Sequence, residues 1–107
     1  MADLSAQRMT LGGLQPTYAA AAGGGDTAPI GNDIVLHVKN GDASPHTVTI
    51  ATPGTVGGLA VADASQVIDA GDEAFIPLRS VYRGPDGRAA ISYDGVTSVT
   101  VAVLQLP

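Results

Sequence analysis

The chain has 107 residues, a formal net charge of −5 and no cysteine. This length is enough for one domain with one hydrophobic core. The missing cysteines exclude a disulfide scaffold and a thiolate metal site. Its five basic residues are scattered, which argues against the basic patch that nucleic-acid binding needs. The start, MADLSAQRMTLGG, has no signal-peptide pattern, and no apolar run approaches the roughly 20 residues that span a bilayer. The sequence therefore predicts a soluble product made in the cytoplasm, without membrane or nucleic-acid partners.

The composition also predicts association with other protein chains. Hydrophobic residues make up 45% of the chain, but only 4% are aromatic, so the core must be built mainly from Ala, Val, Ile and Leu. Such a thin core is modestly stable alone, and small domains often gain stability by associating. Charged residues are 14%, against about 25% in typical domains, so the surface loses little hydration on contact.

Residues 1–25 differ in composition and residue pattern from the rest of the chain. They hold a double glycine, a proline, four consecutive alanines and a triple glycine, without a helical or strand period. Two interpretations remain open: a partly ordered tail, or an arm that becomes ordered only against a neighbour. In the second case the anchors are Leu11, Leu14 and Tyr18. We divide the chain into this N-terminal arm and a β domain of residues 26–107.

Strand patterns begin at Ile30. In DIVLHVKN and HTVTIAT apolar and polar residues alternate, which is typical of half-buried strands, and NGDASP between them supplies turn residues. We therefore predict a hairpin, with His37 on the solvent face of its first strand. QVID and EAFIPL predict a second hairpin or a tight bend. Asp94-Gly95 predicts a tight hairpin turn between a strand at 89–93 and the last strand.

The pattern as a whole predicts an all-β fold. About six or seven short strands at spacings of roughly 8 to 12 residues, without a convincing helix, favour a single antiparallel β-sandwich or small β-barrel. The fold class is therefore all-β, with the first 25 residues as an extension.

The candidate metal and catalytic sites are weak. His37 and His46 could face each other across the first turn, with Asp42 nearby, but a solvated strand and turn explain them more simply. Asp69, Asp72 and Glu73 lack the calcium-loop signature and are typical of a turn. The serines lie in no GxSxG motif, and GGGDTAPIG is not a phosphate-binding loop. We predict no catalytic, metal or cofactor site.

The stretch LRSVYRGPDGR holds three of the five basic residues beside a tyrosine. Arg and Tyr are enriched among interface hot spots. We therefore predict that Arg79, Tyr82 and Arg83 contribute to partner binding, although ordinary solvated arginines are the alternative.

Two stretches, IVLHVKNGDASPHTVTIATPGTVGGLAVAD and RSVYRGPDGRAAISYDGVTSVTVAVLQL, resemble small head proteins of tailed bacteriophages. The resemblance covers roughly residues 26–106. It rests on KNGDASPHTVTIATPG, a glycine-rich middle and a closing TSVTVAVL strand, all without catalytic residues. It implies a capsid decoration (cement) or minor capsid protein, often trimeric, whose partner is the major capsid protein.

The sequence and this resemblance thus predict a structural virion protein on the capsid surface, without enzymatic activity or cofactor, and a homo-oligomer with a trimer favoured. Three alternatives stay open: a tail-tube or head–tail joining protein, a carbohydrate- or cell-surface-binding sandwich, and a small enzyme built around His37 and His46.

Overall fold

A computed structural model describes residues 2–60 and 62–107. It confirms the all-β prediction: the described residues form strands and one short 3₁₀ turn, η1 (Ser80–Tyr82), without an α-helix. The strands are β1 (Ala2–Asp3), β2 (Ala6–Arg8), β3 (Ala19–Ala20), β4 (Asp26–Ala28), β5 (Ile34–Asn40), β6 (His46–Ile50), β7 (Thr55–Val56), β8 (Leu59–Ala60), β9 (Ala64–Ile68), β10 (Glu73–Pro77), β11 (Ala89–Tyr93) and β12 (Val99–Gln105).

The strands form two packed sheets, so the architecture is a sandwich rather than a closed barrel. Sheet A has the order β1-β4-β11-β6-β9. Sheet B has the order β10-β5-β12, and β2 and β3 both pair with the outer side of β12. A small ribbon of β7 and β8 lies in the connection between β6 and β9. Strands β5 and β12 pair over seven residues and form the centre of sheet B.

The core follows from the alternation seen in the sequence. β5 turns Ile34, Leu36 and Val38 inward, and β12 turns its valines to the same side. Because successive strand residues point to opposite faces, these positions line one face of sheet B and meet β6 and β11 of sheet A. The largest fully buried apolar side chains are Leu36, Ile50, Leu78, Val38, Val48, Val99, Val101 and Val103.

The predicted hairpin of β5 and β6 is wrong. β5 pairs with β10 and β12 in sheet B, whereas β6 pairs with β11 and β9 in sheet A. Residues 41–45 carry the chain from one sheet to the other. A turn sequence between two alternating strands fits a cross-sheet connection as well as a hairpin, because in both cases each strand keeps one apolar face toward the core.

The same correction holds for the Asp94-Gly95 turn. It connects β11 of sheet A to β12 of sheet B, so the two strands do not pair. The QVID and EAFIPL strands, β9 and β10, also lie in different sheets, which fits the predicted tight bend and not the predicted hairpin. The 3₁₀ turn and residues 83–88 likewise carry the chain from β10 to β11.

The first 20 residues contribute strands to both sheets. β1 runs parallel to β4 in sheet A, and β2 runs parallel to β12 in sheet B, so residues 2–8 cross from one sheet to the other along one side of the sandwich. Leu4 and Ala6 pack against the core there. The division into an arm of residues 1–25 and a β domain of residues 26–107 stays a prediction.

Arg88 fastens this crossing segment. Its guanidinium donates hydrogen bonds to Thr27 Oγ1 (3.0 Å), to the Thr27 carbonyl (3.2 Å) and to the Leu4 carbonyl. The Leu4 amide donates to the same Thr27 carbonyl at 2.7 Å. One cation near β11 thereby ties β1 to the body of sheet A, through charge-assisted bonds that are stronger than neutral ones.

Candidate docking surface at one end of the sandwich

The strand registers divide the connecting segments between two ends of the sandwich. At one end β2, β10 and β12 finish and β11 begins, and the segments 9–18, 29–33, 51–60, 62–63, 78–88 and 106–107 lie there. We call it the arginine end. At the other end lie the segments 21–25, 41–45, 69–72 and 94–98. We call it the acidic end.

The arginine end takes its name from three exposed arginines, Arg8, Arg79 and Arg83. Within residues 2–60 and 62–107, none of their guanidinium groups has a hydrogen-bond or ion-pair partner. Arg88, from the same end, is instead used to hold Leu4 and Thr27. Three cations therefore remain available at this end.

Exposed apolar side chains gather at the same end. Seven large hydrophobic residues are exposed among the described residues, and five of them belong to segments of the arginine end. The tip of the 9–14 turn is formed by a hydrogen bond from the Gly13 amide to the Thr10 carbonyl, which leaves Leu11 pointing into solvent. These five are Leu11 (97% exposed), Leu59 (75%), Val81 (55%), Leu106 (44%) and Leu14 (37%). Protein interfaces are rich in exposed apolar and arginine side chains, so this end has the composition of an interface.

The structure separates the six residues predicted for partner binding. Leu11, Leu14, Arg79 and Arg83 lie exposed at the arginine end. Sequence reasoning missed Arg8, Leu59, Val81 and Leu106. Val81 lies in the same stretch as Arg79 and Arg83 but was not selected. No sequence pattern marked the other three, which lie in separate segments that the strand registers bring to one end.

Tyr82 and Tyr18, the other two predicted residues, turn inward. Tyr82 is half-buried and packs against the hydrophobic core. The Tyr18 hydroxyl lies 2.6 Å from His37 Nδ1, and the Tyr18 ring meets the imidazole edge-on. Lys39 Nζ lies 4.2 Å from the centre of the Tyr18 ring, which suits a cation–π contact.

His37 is not on a solvent face as predicted. It is 5% exposed, although it does lie on the outer face of sheet B. The Phe75 ring stacks on it with centroids 4.0 Å apart, and Tyr18 covers it from another side. Its Nε2 lies 3.3 Å from the Glu73 carboxylate, without the alignment of a hydrogen bond. The sequence could not predict this burial, because Tyr18, which covers His37, lies 19 residues earlier in the chain and outside any periodic pattern.

His46 lies at the acidic end, between two carboxylates. Its Nε2 is 2.9 Å from Asp42 Oδ2, and its Nδ1 is 3.2 Å from Asp94 Oδ1. A neutral imidazole has only one N–H, so donating to both carboxylates requires the charged form. The Asp42 carboxylate, and then Asp94, raises the pKa of His46 above its ordinary value. A Cβ at Gly95 would come within 2.9 Å of His46 Cε1, so glycine leaves room for this ring.

The two carboxylates shift in the opposite direction. The pKa of Asp42 is lowered, first by the hydrogen bond from His46 and then by the Ala43 amide. The pKa of Asp94 is lowered first by the Thr47 amide, which donates at 2.9 Å, and also by His46. This cluster ties the 41–45 and 94–98 segments together, and the imidazole nitrogens of His46 are both occupied.

The two histidines do not face each other across a hairpin, which is the arrangement that the alternative of a shared site assumed. His37 lies on β5 in sheet B and His46 on β6 in sheet A, and these strands do not pair. Over residues 2–60 and 62–107, no group of three His, Asp or Glu side chains is arranged to hold a metal ion.

Asn40 organises the acidic end from inside. It is 1% exposed, and its side-chain nitrogen lies within hydrogen-bond distance of the carbonyls of Ser44 (2.9 Å), Ile68 (3.0 Å) and Asp69 (3.4 Å). Its Oδ1 accepts from the Asp42 amide at 3.0 Å. One buried amide thus links two cross-sheet connections. The prediction of Asn40 as a turn residue accounts for its bonds to the 41–45 connection but not for those to Ile68 and Asp69.

Of the three acidic residues predicted to lie in a turn, Asp69 and Asp72 do so, whereas Glu73 begins strand β10. The Asp72 amide donates to the Asp69 carbonyl at 3.0 Å, and Asp72 Oδ1 accepts from the Glu73 amide at 2.9 Å. None of the seven exposed large hydrophobic residues lies in the segments of the acidic end. This end is a solvated surface fastened by its own polar contacts.

The sequence also gave no sign of a buried carboxylate in sheet A. Asp26 is fully buried and accepts a hydrogen bond from the Tyr93 hydroxyl at 2.7 Å. Burial, and then the Asp26 carboxylate, raises the pKa of Tyr93. The pair joins β4 to the end of β11 and supports the fold.

A second apolar feature lies along one side of the sandwich, between the edge strands β9 and β10. A groove of about 180 Å³ opens there, bordered by Ile50, Gln66 and Ile76. The two exposed hydrophobic residues that are not at the arginine end, Val67 and Phe75, belong to these edge strands.

Comparison of the chain with protein-family models, with curated proteins and with solved structures gave no match. In the described part of the chain, no helix has the length and apolar character needed to cross a membrane.

Proposed function

We propose that the chain is a structural virion protein that binds the outer surface of a tailed-phage capsid and stabilises the shell. The observation that carries this proposal is the gathering of exposed apolar side chains and unpartnered arginines at one end of the sandwich. A single interface-like end on a small rigid domain favours an assembly role. The resemblance of residues 26–106 to phage head proteins supplies the kind of assembly.

The mechanism is passive. A protein that binds only the assembled shell adds its binding free energy to the stability of that shell. Many copies on one particle let individually weak contacts act together. The exposed surface is poor in charge, so docking removes little hydration. No catalytic residue, metal or cofactor takes part in this mechanism.

The test is binding to purified shells that lack this protein. We expect Leu11→Ala combined with Arg83→Ala to lower occupancy roughly tenfold, because interface anchors of this kind contribute about 1 kcal/mol or more each. Both side chains are exposed, and in the described residues the Arg83 guanidinium has no hydrogen-bond or ion-pair partner, so the isolated fold should be unchanged. Tyr82 is unsuitable for this purpose, because it packs against the core.

The matched control is Asp69→Ala at the acidic end, which should leave occupancy unchanged. Equal binding of the Leu11→Ala/Arg83→Ala variant and the wild type would remove the arginine end as the docking surface. Failure of the wild type to bind any shell would remove the proposed function.

We further propose that the protein forms a homo-oligomer, with a trimer favoured, as the decoration role implies. Size-exclusion chromatography with light scattering measures this. A stable trimer supports decoration around local threefold positions. A larger closed ring would contradict it and point to a head–tail joining or tail-tube protein.

A further inference from the structure

The charges of the molecule are segregated along the sandwich. Five of the ten acidic residues lie at the acidic end, whereas four of the five lysines and arginines lie at the opposite end. In the described residues, no lysine or arginine lies within 4 Å of a carboxylate. The acidic-end carboxylates are those of Asp42, Asp69, Asp72, Glu73 and Asp94.

The carboxylates that do lie at the arginine end are engaged by neutral donors. Asp33 Oδ2 accepts from the Gln105 amide group at 2.9 Å. Asp63 Oδ1 accepts from the Thr52 backbone amide at 2.8 Å, and Asp86 Oδ1 accepts from the Arg88 backbone amide at 3.0 Å. In the described residues, none of these three carboxylates forms an ion pair with Arg79 or Arg83.

We propose that the arginine end docks on an acidic protein surface presented by the shell, and that this charge pairing fixes which way the protein faces. This inference rests on the proposed function and names the chemistry of its partner. Arg8, Arg79 and Arg83 form ion pairs with carboxylates of the shell, around the apolar contacts of Leu11 and Val81. The acidic end points outward.

Orientation follows from the signs of the charges. An acidic partner attracts the arginine end and repels the acidic end, because like charges brought together across an interface oppose binding. Apolar contact alone would not choose a direction so strongly, because it is nonspecific. Guanidinium groups also suit planar, bidentate pairing with carboxylates.

The experiment measures binding to protein-free shells over a range of NaCl concentrations, for the wild type and for two variants of equal net charge. Arg79→Gln/Arg83→Gln removes two positive charges from the arginine end. Ala70→Glu/Thr97→Glu adds two negative charges to exposed turn positions at the acidic end. Both variants lower the net charge by two, so a difference between them reports location and not total charge.

We expect wild-type affinity to fall as salt rises, because exposed ion pairs are screened. The Arg79→Gln/Arg83→Gln variant should bind about tenfold more weakly at low salt and should lose most of the salt dependence. The Ala70→Glu/Thr97→Glu variant should bind nearly as the wild type does.

Two results would overturn this inference while leaving the proposed function intact. One is wild-type binding that does not respond to salt. The other is equal weakening by both variants, which would show a general effect of net charge. Absence of shell binding by the wild type at every salt concentration would overturn the proposed function itself.

A third result would assign the arginine end to a different partner. If the protein alone forms low-salt oligomers in light scattering, and Arg79→Gln/Arg83→Gln abolishes them, then the acidic end of a second copy is the partner. That outcome contradicts the shell as the acidic surface.

Discussion

The two ends of this sandwich use polar side chains in opposite ways. At the acidic end the polar side chains bond to other groups of the same chain. The Asn40 side-chain nitrogen lies within hydrogen-bond distance of three backbone carbonyls, and His46 lies between Asp42 and Asp94. At the arginine end, the guanidinium groups of Arg79 and Arg83 have no hydrogen-bond or ion-pair partner within the described chain. Substitutions at the first end should therefore change stability, and substitutions at the second should change binding alone.

The largest expected effect on stability is at Asn40. Asn40→Ala leaves the Ile68 carbonyl and other buried groups without partners, which costs about 2 to 3 kcal/mol. For a domain of this size we expect Tm to fall by roughly 10 °C or more in a thermal unfolding measurement. Asn32→Ala, at an exposed loop position of the other end, is the matched control. Similar Tm values for the two variants would contradict the central role of Asn40.

Among the arginines, Arg88 is expected to contribute to stability, because its guanidinium donates hydrogen bonds to Thr27 and Leu4. Arg88→Lys keeps the charge but loses the planar fork that reaches Thr27 and Leu4 together, so we expect a loss of about 1 to 2 kcal/mol. Amide hydrogen exchange should speed up in residues 2–5 and little elsewhere. Arg83→Lys, the same change at an unpartnered arginine, should alter neither measurement. Unchanged exchange in Arg88→Lys would mean that the crossing segment is held by other contacts.

The His46 cluster predicts a stability maximum in pH. The pKa of His46 is raised above 6.5, so its contribution is fully present below pH 6.5 and is lost as pH rises through the raised value. The pKa values of Asp42 and Asp94 are lowered below 3.8, so their contribution is present above pH 3.8 and is lost as pH falls through the lowered values.

The measurement is Tm as a function of pH for the wild type and His46→Gln. The difference between them should be largest between pH 3.8 and pH 6.5 and should shrink toward alkaline pH. Asp69→Asn, which removes an acid that does not contact His46, should keep the wild-type profile. A difference between the wild type and His46→Gln that is constant over pH would show that the ring acts by packing alone.

The smallest expected effect on stability is at the arginine end. Arg79→Ala combined with Arg83→Ala should change the free energy of unfolding by less than about 0.5 kcal/mol, because exposed side chains without partners contribute little. Denaturant unfolding measures this directly. A clear loss of stability would mean that the arginines serve the fold, and the docking proposal would lose its main support.

The sequence predicted the strands of this molecule better than their partners. Ala89–Tyr93 was predicted with its observed bounds, and the alternation in β5 and β6 correctly separated inward Leu36 and Val48 from their neighbours. The hairpins were wrong because local turn chemistry does not say whether the next strand joins the same sheet or the facing one. Sheet membership depends on contacts between distant residues, such as Val103 with Leu36.

The candidate site was predicted in part for the same reason. Leu11, Leu14, Arg79 and Arg83 could be chosen as exposed residue types within local clusters. Tyr18 could not be placed, because its partner His37 lies on another strand and its own segment has no period. Arg8 and Leu106 could not be grouped from the sequence, because only the parallel pairing of β2 with β12 places the last residues of these two strands at the same end.

The parallel pairing of β2 with β12 has a consequence for how the chain folds. It joins Ala6 to Val103, so one edge of sheet B needs both extremities of the chain at once. Contacts so far apart in sequence carry a high loop-closure entropy and are acquired slowly. We therefore expect β4 to β12 to assemble first and the segment of residues 2–8 to dock last. Until it docks, the part of β12 that pairs with β2, residues 103–105, has an open strand edge, and misassembly between chains at high concentration should begin there.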